Sequence, residues 1–179
     1  MKLRTHYLIA RIAAESADFS LSESIAFYIG TLMPDLSPMQ FIHPHFYEQS
    51  GVYVFDKLEN LSYSQSSFTF WEYGKMAHYF SDFCCSVHFN GHVGNVRKHV
   101  KYERVLNRYI KNNYQLLKNE YANEKKTKNL NSILGNYYYC EKYNPHLDLI
   151  SAINACAAIC NMAKRTSYHP QNAISLLNE

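Results

Sequence analysis

The chain has 179 residues and a formal net charge of +3, with charges of both signs spread along it. That length suffices for one domain with a real core, and so mild a charge does not by itself argue for a nucleic-acid partner. The five cysteines are odd in number, with two adjacent and two at i,i+4, so they form no disulfide framework and read as reduced thiols.

Lys2 and Arg4 open the chain, but Arg11 interrupts the short apolar run behind them, so no convincing signal peptide is present. No apolar segment reads as long enough to span a bilayer, and the expected location is the cytoplasm. Thr5 can cap a first helix from His6 to about Ser16. Ser20, with Glu23 three residues on, forms a capping box for a second helix that carries Phe27 and Tyr28 and stops near Gly30. Pro34 biases Met33 away from helical geometry, so Asp35 is expected in a turn or at a new helix start. Residues 36–48 read as a loop holding His43 and His45. A helix from about Ser50 to Leu61 is expected to bury Val52, Phe55 and Leu58, and a polar linker, Ser62 to Ser67, follows it.

Thr69 and Glu72 make another capping box, opening a helix that runs to about Val87. Gly91 and Gly94 mark a loop, and Asn95 can cap a helix through Ile110 whose polar continuation frays near Lys125. Further helices are expected from Leu130 to Lys142, and from Asn144-Pro145, a cap with proline at the first helical position, to about Lys164. The tail after Tyr168 reads as loose. The 16 Tyr and 10 Phe read mainly as core, with some tyrosines available to line a hydrated cleft. No repeat, strand alternation or domain break is visible, so residues 1–179 are expected to form one all-α domain.

Between Thr69 and Glu103 the chain concentrates its chemistry. His78 and Asp82 stand at i,i+4, as do His99 and Glu103, with His88 between the pairs. On a helix such a pair shares one face about a turn apart, so both side chains can reach one ion. Imidazole and carboxylate without an obligatory thiolate suit zinc. Calcium and magnesium would want mostly oxygen, while copper, nickel or ferrous iron could use the same donors. Cys85, three residues after Asp82, reads as a small buried side chain that borders this face.

With these residues in place, the chain resembles the zinc-dependent phospholipase C family, whose relatives include single-strand nucleases of the S1/P1 type. The shared pattern is an early His6, Asp35 after a turn, His45 or His43, then His78-x3-Asp82-x5-His88 and His99-x3-Glu103. The likeness covers about residues 5–108; the helices at about 129–165 match only as further helix. It implies an all-α multi-helix bundle with two or three zinc ions in a cleft. Asp35, His45, His78 and Asp82 would form one zinc site, and His88, His99 and Glu103 a second. Asp82 would bridge to a third ion that also takes His6. In family members with three metals an N-terminal Trp completes the third site; this chain begins Met-Lys, so that site is rebuilt with water or Met1, or is weak. His45 is preferred over His43 because it lies closer to the next helix.

The activity the resemblance implies is phosphodiester hydrolysis of phospholipase C type, with the zinc cluster activating water for attack on phosphorus and Asp35 as the ligand that orients it. A phospholipid or other phosphodiester substrate and transient membrane-surface contact are the implied partners, with nucleic acid less favoured. The alternatives are an S1/P1-like nuclease or other phosphoesterase, and a non-enzymatic zinc-binding helical protein. The lipid headgroup and the oligomeric state are not written in the sequence.

Overall fold

The computed structural model describes residues 1–63, 69–89, 96–123 and 129–168, and among these every regular element is a helix. The helices are α1 (Leu3–Ala14), α2 (Leu21–Leu36), α3 (Met39–Ile42), α4 (Tyr47–Ser62) and α5 (Thr69–Phe83) in the first half. They continue with α6 (Ser86–Phe89), α7 (Val96–Asn112), α8 (Tyr114–Asn123), α9 (Leu130–Tyr139) and α10 (Pro145–Tyr168). The expected all-α bundle is therefore present. The loop at Gly91 and Gly94, the Asn95 cap, the fraying near Lys125 and the tail after Tyr168 lie outside the described residues.

Helix α5 is the central element, with α2, α4, α10 and part of α1 packed around it. From Tyr73 to Phe83 every residue is buried, the all-round pattern of a helix enclosed by others. Tyr73, Met76, Tyr79, Phe80 and Phe83 are each fully buried, and each such side chain contributes about 1.5–3 kcal/mol of transfer free energy.

Several boundaries differ from the sequence expectation, each for a physical reason. Helix α1 begins at Leu3 after Lys2, not at a Thr5 cap, and ends at Ala14. Thr5 is buried within it and donates its hydroxyl to Asn107 Oδ1 at 3.4 Å. The Ser20–Glu23 capping box forms as expected. Helix α2 then continues past Gly30 and through Pro34, so Asp35 sits in its last turn. Gly30 is a packing residue, not a stop: a Cβ there would lie 2.1 Å from the Trp71 carbonyl oxygen on α5.

The loop expected over residues 36–48 contains the short α3, and α4 opens at Tyr47. That earlier start sets which face turns inward: Val54, Leu58 and Leu61 are buried, whereas Val52 is exposed. Ser62, expected in a linker, is the buried last residue of α4. Helix α5 starts at Thr69, and Glu72 pairs with Lys75 at 3.0 Å and Lys57 at 3.7 Å. It stops at Phe83 rather than Val87, and α6 restarts after Cys84-Cys85. Helix α9 ends at Tyr139, while Asn144 Oδ1 accepts from the amides of His146 and Leu147 at the head of α10, as its Asn-Pro start predicts.

Residues Pro145–Thr166 of α10 are long and apolar enough, by length and composition, to cross a bilayer, which corrects the expectation that no such segment exists. Leu149, Ile153, Cys156 and Ile159 on this helix are fully buried inside the bundle, against α1 and α5. All five cysteines are free, as expected.

Candidate metal centre

The bundle brings all eight predicted site residues into one cluster. They form three groups of potential donors, each with atoms within 4.8 Å of one another: Asp35, His45 and His78; His88, His99 and Glu103; and His6, His78 and Asp82. Helix α5 supplies the middle of the cluster through the fully buried His78 and Asp82. Helix α2 brings Asp35 because it crosses α5 closely and runs on past Pro34. The segment before α4 brings His45, α1 brings His6, α6 brings His88, and α7 brings His99 and Glu103.

Asp82 is the hub. Its Oδ2 lies 3.1 Å from His45 Nδ1 and 3.4 Å from His78 Nε2. Its Oδ1 lies 3.4 Å from His6 Nε2 and 3.7 Å from His88 Nε2. In the first group, Asp35 Oδ1 is 3.5 Å from His45 Nδ1 and 3.7 Å from His78 Nε2. In the second, Glu103 Oε1 is 3.3 Å from His88 Nε2 and 3.2 Å from His99 Nε2. The Met1 α-amine reaches in from α1, donating to Asp82 Oδ1 at 2.5 Å and lying 3.2 Å from His88 Nε2 and 3.5 Å from Glu103 Oε1. A cation thus already sits among these donors.

His43 and His45 lie in different surroundings. The His43 ring stacks on Tyr53 with centroids 3.5 Å apart, and its carbonyl accepts from the Tyr79 hydroxyl. His45 is the one that turns into the cluster. Cys85 is buried and belongs to none of the three donor groups. His92 lies outside the described residues.

One tautomer is fixed by the backbone. His78 Nδ1 donates to the carbonyl of Thr31 at 2.8 Å, since a carbonyl can only accept. The Nε2 facing the acids is then left with its lone pair, the form a metal requires.

The electrostatics push His78 and His88 toward the neutral form and Asp82 and Glu103 toward the charged one. Burial pushes His78 well below its ordinary value, aided by His6 and His45 and opposed by Asp82. Burial likewise lowers His88 to about 4, against the pull of Asp82. Burial would raise the carboxyl of Asp82, but His88, the Met1 amine and His6 hold it well below the carboxylate range. Burial also works against Glu103, yet contacts from His88 and His99 keep it low. Asp35, nearer the cleft mouth, is raised by burial and by Asp82.

The donor set fits zinc. His6 Nε2 and Asp82 Oδ2, both facing the cluster, are buried without a hydrogen-bond partner, a costly condition that a bound cation would relieve. Ligands held about 2.1 Å from a tetrahedral zinc lie about 3.4 Å from one another. The donor–donor separations of 3.2–3.7 Å within the first two groups bracket that spacing. They are long for ordinary hydrogen bonds.

A cleft of about 290 Å³ opens over the cluster. Asp35, His45, His88, His99 and Glu103 form its polar side, and Met1, Pro44, Phe46 and Val96 complete the lining. Sequence reasoning named Met1 near the third site but missed the other three; Pro44 and Phe46 flank His45, and that adjacency was the available signal.

A helical bundle that converges buried histidines and carboxylates beside one open cleft defines a candidate metal-binding protein. The profile described as zinc dependent phospholipase C matches residues 5–153, and the chain belongs to that family. The match reaches beyond the ligand-bearing part, into the first turns of α10. No curated protein and no solved structure matches the chain.

Proposed function

We propose that this protein is a phosphodiester hydrolase of phospholipase C type in which His6, Asp35, His45, His78, Asp82, His88, His99 and Glu103 hold two or three zinc ions. The observation that carries the reading is the spacing of the donors, which suits shared coordination, together with a buried His6 Nε2 that faces Asp82 and has no hydrogen-bond partner. The chemistry bound zinc supplies is a pKa of about 7 for its water and neutralisation of phosphate oxygens.

The side chains have separate tasks in this reading. Asp82 gives its negative charge to the first group and to the one with His6. His78, held by Thr31, presents a fixed lone pair. Asp35 is the partly exposed acid at the cleft wall, placed to orient a water for in-line attack on phosphorus. His99 and Glu103 line the same cleft and would hold the second ion.

The substrate side of the cleft favours a lipid over a nucleic acid. Pro44, Phe46 and Val96 line it, and no lysine or arginine does so among the described residues. A nucleic-acid cleft would combine a basic groove with stacking aromatics. Leu36, Phe41 and Ile42, next in sequence to Asp35 and His43, are exposed, as are Leu21, Ile25 and Ile29 on α2, an apolar stripe suited to contact with a lipid surface.

The test is metal analysis by mass spectrometry, then a screen against phosphatidyl, nucleotide and p-nitrophenyl phosphodiesters. At least two zinc equivalents and preference for the phosphatidyl substrates are expected. Preference for nucleotide diesters would move the activity to the nuclease branch; bound zinc with no hydrolysis of any substrate would leave a metal-binding protein without catalysis.

A further inference from the structure

Behind the second donor group lies a buried acid with no part in the chemistry above. Asp148, in the first turn of α10, has no solvent exposure. Its Oδ2 accepts from the backbone amide of Ser86 at 2.8 Å and the Tyr102 hydroxyl at 2.9 Å. Its Oδ1 accepts from the Ser86 hydroxyl and the Tyr137 hydroxyl, both at 2.8 Å. The Tyr143 amide donates to Ser86 Oγ at 2.7 Å, which leaves the serine proton directed at the carboxylate. Four donors thus converge on one carboxylate, filling its acceptor capacity.

Two of those partners stand beside candidate ligands. Ser86 opens α6 two residues before His88, and Tyr102 precedes Glu103 on α7. Helix α6 is only four residues long. So short a helix has too few internal hydrogen bonds to hold its own orientation, and its direction must be set from outside. Asp148 binds both its first amide and its first side chain. Tyr137, the remaining hydroxyl donor, lies on α9, which carries no site residue, though its hydroxyl is also 3.2 Å from Ser86 Oγ. Lys142 covers this node with its ammonium 4.0 Å from the Tyr137 ring centroid.

We infer that Asp148 is a positioning residue that locks α6 to α7, and so holds His88 against His99 and Glu103 at the spacing one metal ion needs. The inference rests on the reading of those three residues as one metal group. Partners behind metal ligands typically govern affinity by about 10–100-fold. Asp148 acts through Ser86 and Tyr102, and its influence is confined to the second group; the Asp35, His45 and His78 group is held by α2, α5 and the segment before α4.

The experiment uses the full chain with Asp148→Asn, Tyr102→Phe and Tyr137→Phe variants. Zinc titration is followed by the histidine ring signals in NMR, which report the His88/His99 and His45/His78 groups separately. Tyr102→Phe is the safeguard should Asp148→Asn fail to fold. Loss of about 10-fold or more in affinity at the His88/His99 group is expected for Asp148→Asn and Tyr102→Phe, with the other group unchanged. Tyr137→Phe, which leaves the direct link from Asp148 to α7 in place, should weaken the His88/His99 group less than Tyr102→Phe does. Equal weakening of both groups, or equal effects of Tyr102→Phe and Tyr137→Phe, would overturn the inference in favour of a general core role. A metal-free crystal structure of Tyr102→Phe supplies the second readout. The His88–Glu103 contact, 3.3 Å in the wild type, should open while the His78–Thr31 bond stays. If wild-type protein binds no zinc, the metal reading fails by itself, and the crystal comparison still decides the tether: an unmoved His88 rejects it.

Discussion

Gly30 and Gly74 face each other where α2 crosses α5, so closely that a Cβ on Gly74 would lie 3.0 Å from Gly30 Cα and 2.2 Å from the Phe27 carbonyl oxygen. These are backbone atoms and cannot yield as a side-chain tip would. Gly74→Ala must therefore push the two helices apart, at a cost of about 3 kcal/mol, and carry Asp35 away from His78. Gly135 is the internal control, because a Cβ on it meets nothing within 4 Å. Gly135→Ala in the middle of α9 should stabilise by about 0.5–1 kcal/mol. Denaturant melts of the two variants should move in opposite directions; matching shifts would mean that the crossing is looser than described.

Asp82 should be the position least tolerant of a change in charge. Asp82→Asn preserves size but removes the negative charge that His6, His45, His78 and His88 all approach. Zinc affinity should fall by more than about 100-fold, since alterations one shell further out already cost 10–100-fold. The two histidines of the His-Pro-His segment offer an internal comparison. His45→Ala should lose metal, whereas His43→Ala, which removes only a ring stacked on Tyr53, should retain it. Equal metal content in both alanine variants, read by mass spectrometry, would reject the geometry assigned to His45.

Acid should destabilise the metal-free protein before the carboxylates titrate. His88 is lowered from 6.5 to about 4 by burial, and His78 is lowered well below 6.5. As pH falls through the ordinary histidine range, the unfolded chain takes up protons that the folded state refuses, so stability falls. For His88 alone the full shift corresponds to about 3 kcal/mol between pH 6.5 and about pH 4. Chelator-treated protein should therefore show a falling denaturation midpoint from neutral pH to about pH 5. A flat profile would show that these imidazoles are not held neutral.

The apolar residues beside the cleft give a kinetic prediction. Phe41 and Ile42 are 82% and 72% exposed. Replacing both by Ser should slow hydrolysis of phospholipid in vesicles by about tenfold, the loss expected from roughly 1.4 kcal/mol of interfacial contact. Turnover of a short-chain monomeric substrate should be unchanged. Parallel losses on both substrates would place these residues in the cleft chemistry rather than at a surface.

The tight i,i+4 spacing of His78 with Asp82 and of His99 with Glu103 made half of the site legible, because a helix turns that spacing directly into proximity. The helical class was legible too, through the Ser20–Glu23 box and the Asn144-Pro145 start. What could not be read was anything depending on contact between helices. Gly30 and Pro34 look like a stop until α5 is seen against them, and Asp35 is placed by that crossing. His43 and His45 are equivalent in sequence; only Tyr53 separates them. Asp148 looks like an ordinary acid in the first turn of a helix, and nothing local announces the four donors that meet it.

The burial of the thiols has a practical consequence. Cys84, Cys85, Cys156 and Cys160 are enclosed, and burial raises the thiols of Cys84, Cys85 and Cys160 away from the reactive thiolate form. Cys140, just past the end of α9, is the partly accessible one, its Sγ donating to the Asn136 carbonyl. A maleimide dye applied to the native protein would therefore attach at a single address. That address lies near Tyr137 and Lys142, so the unmutated chain already carries a handle for watching the α9–α10 corner by fluorescence as metal is added or withdrawn.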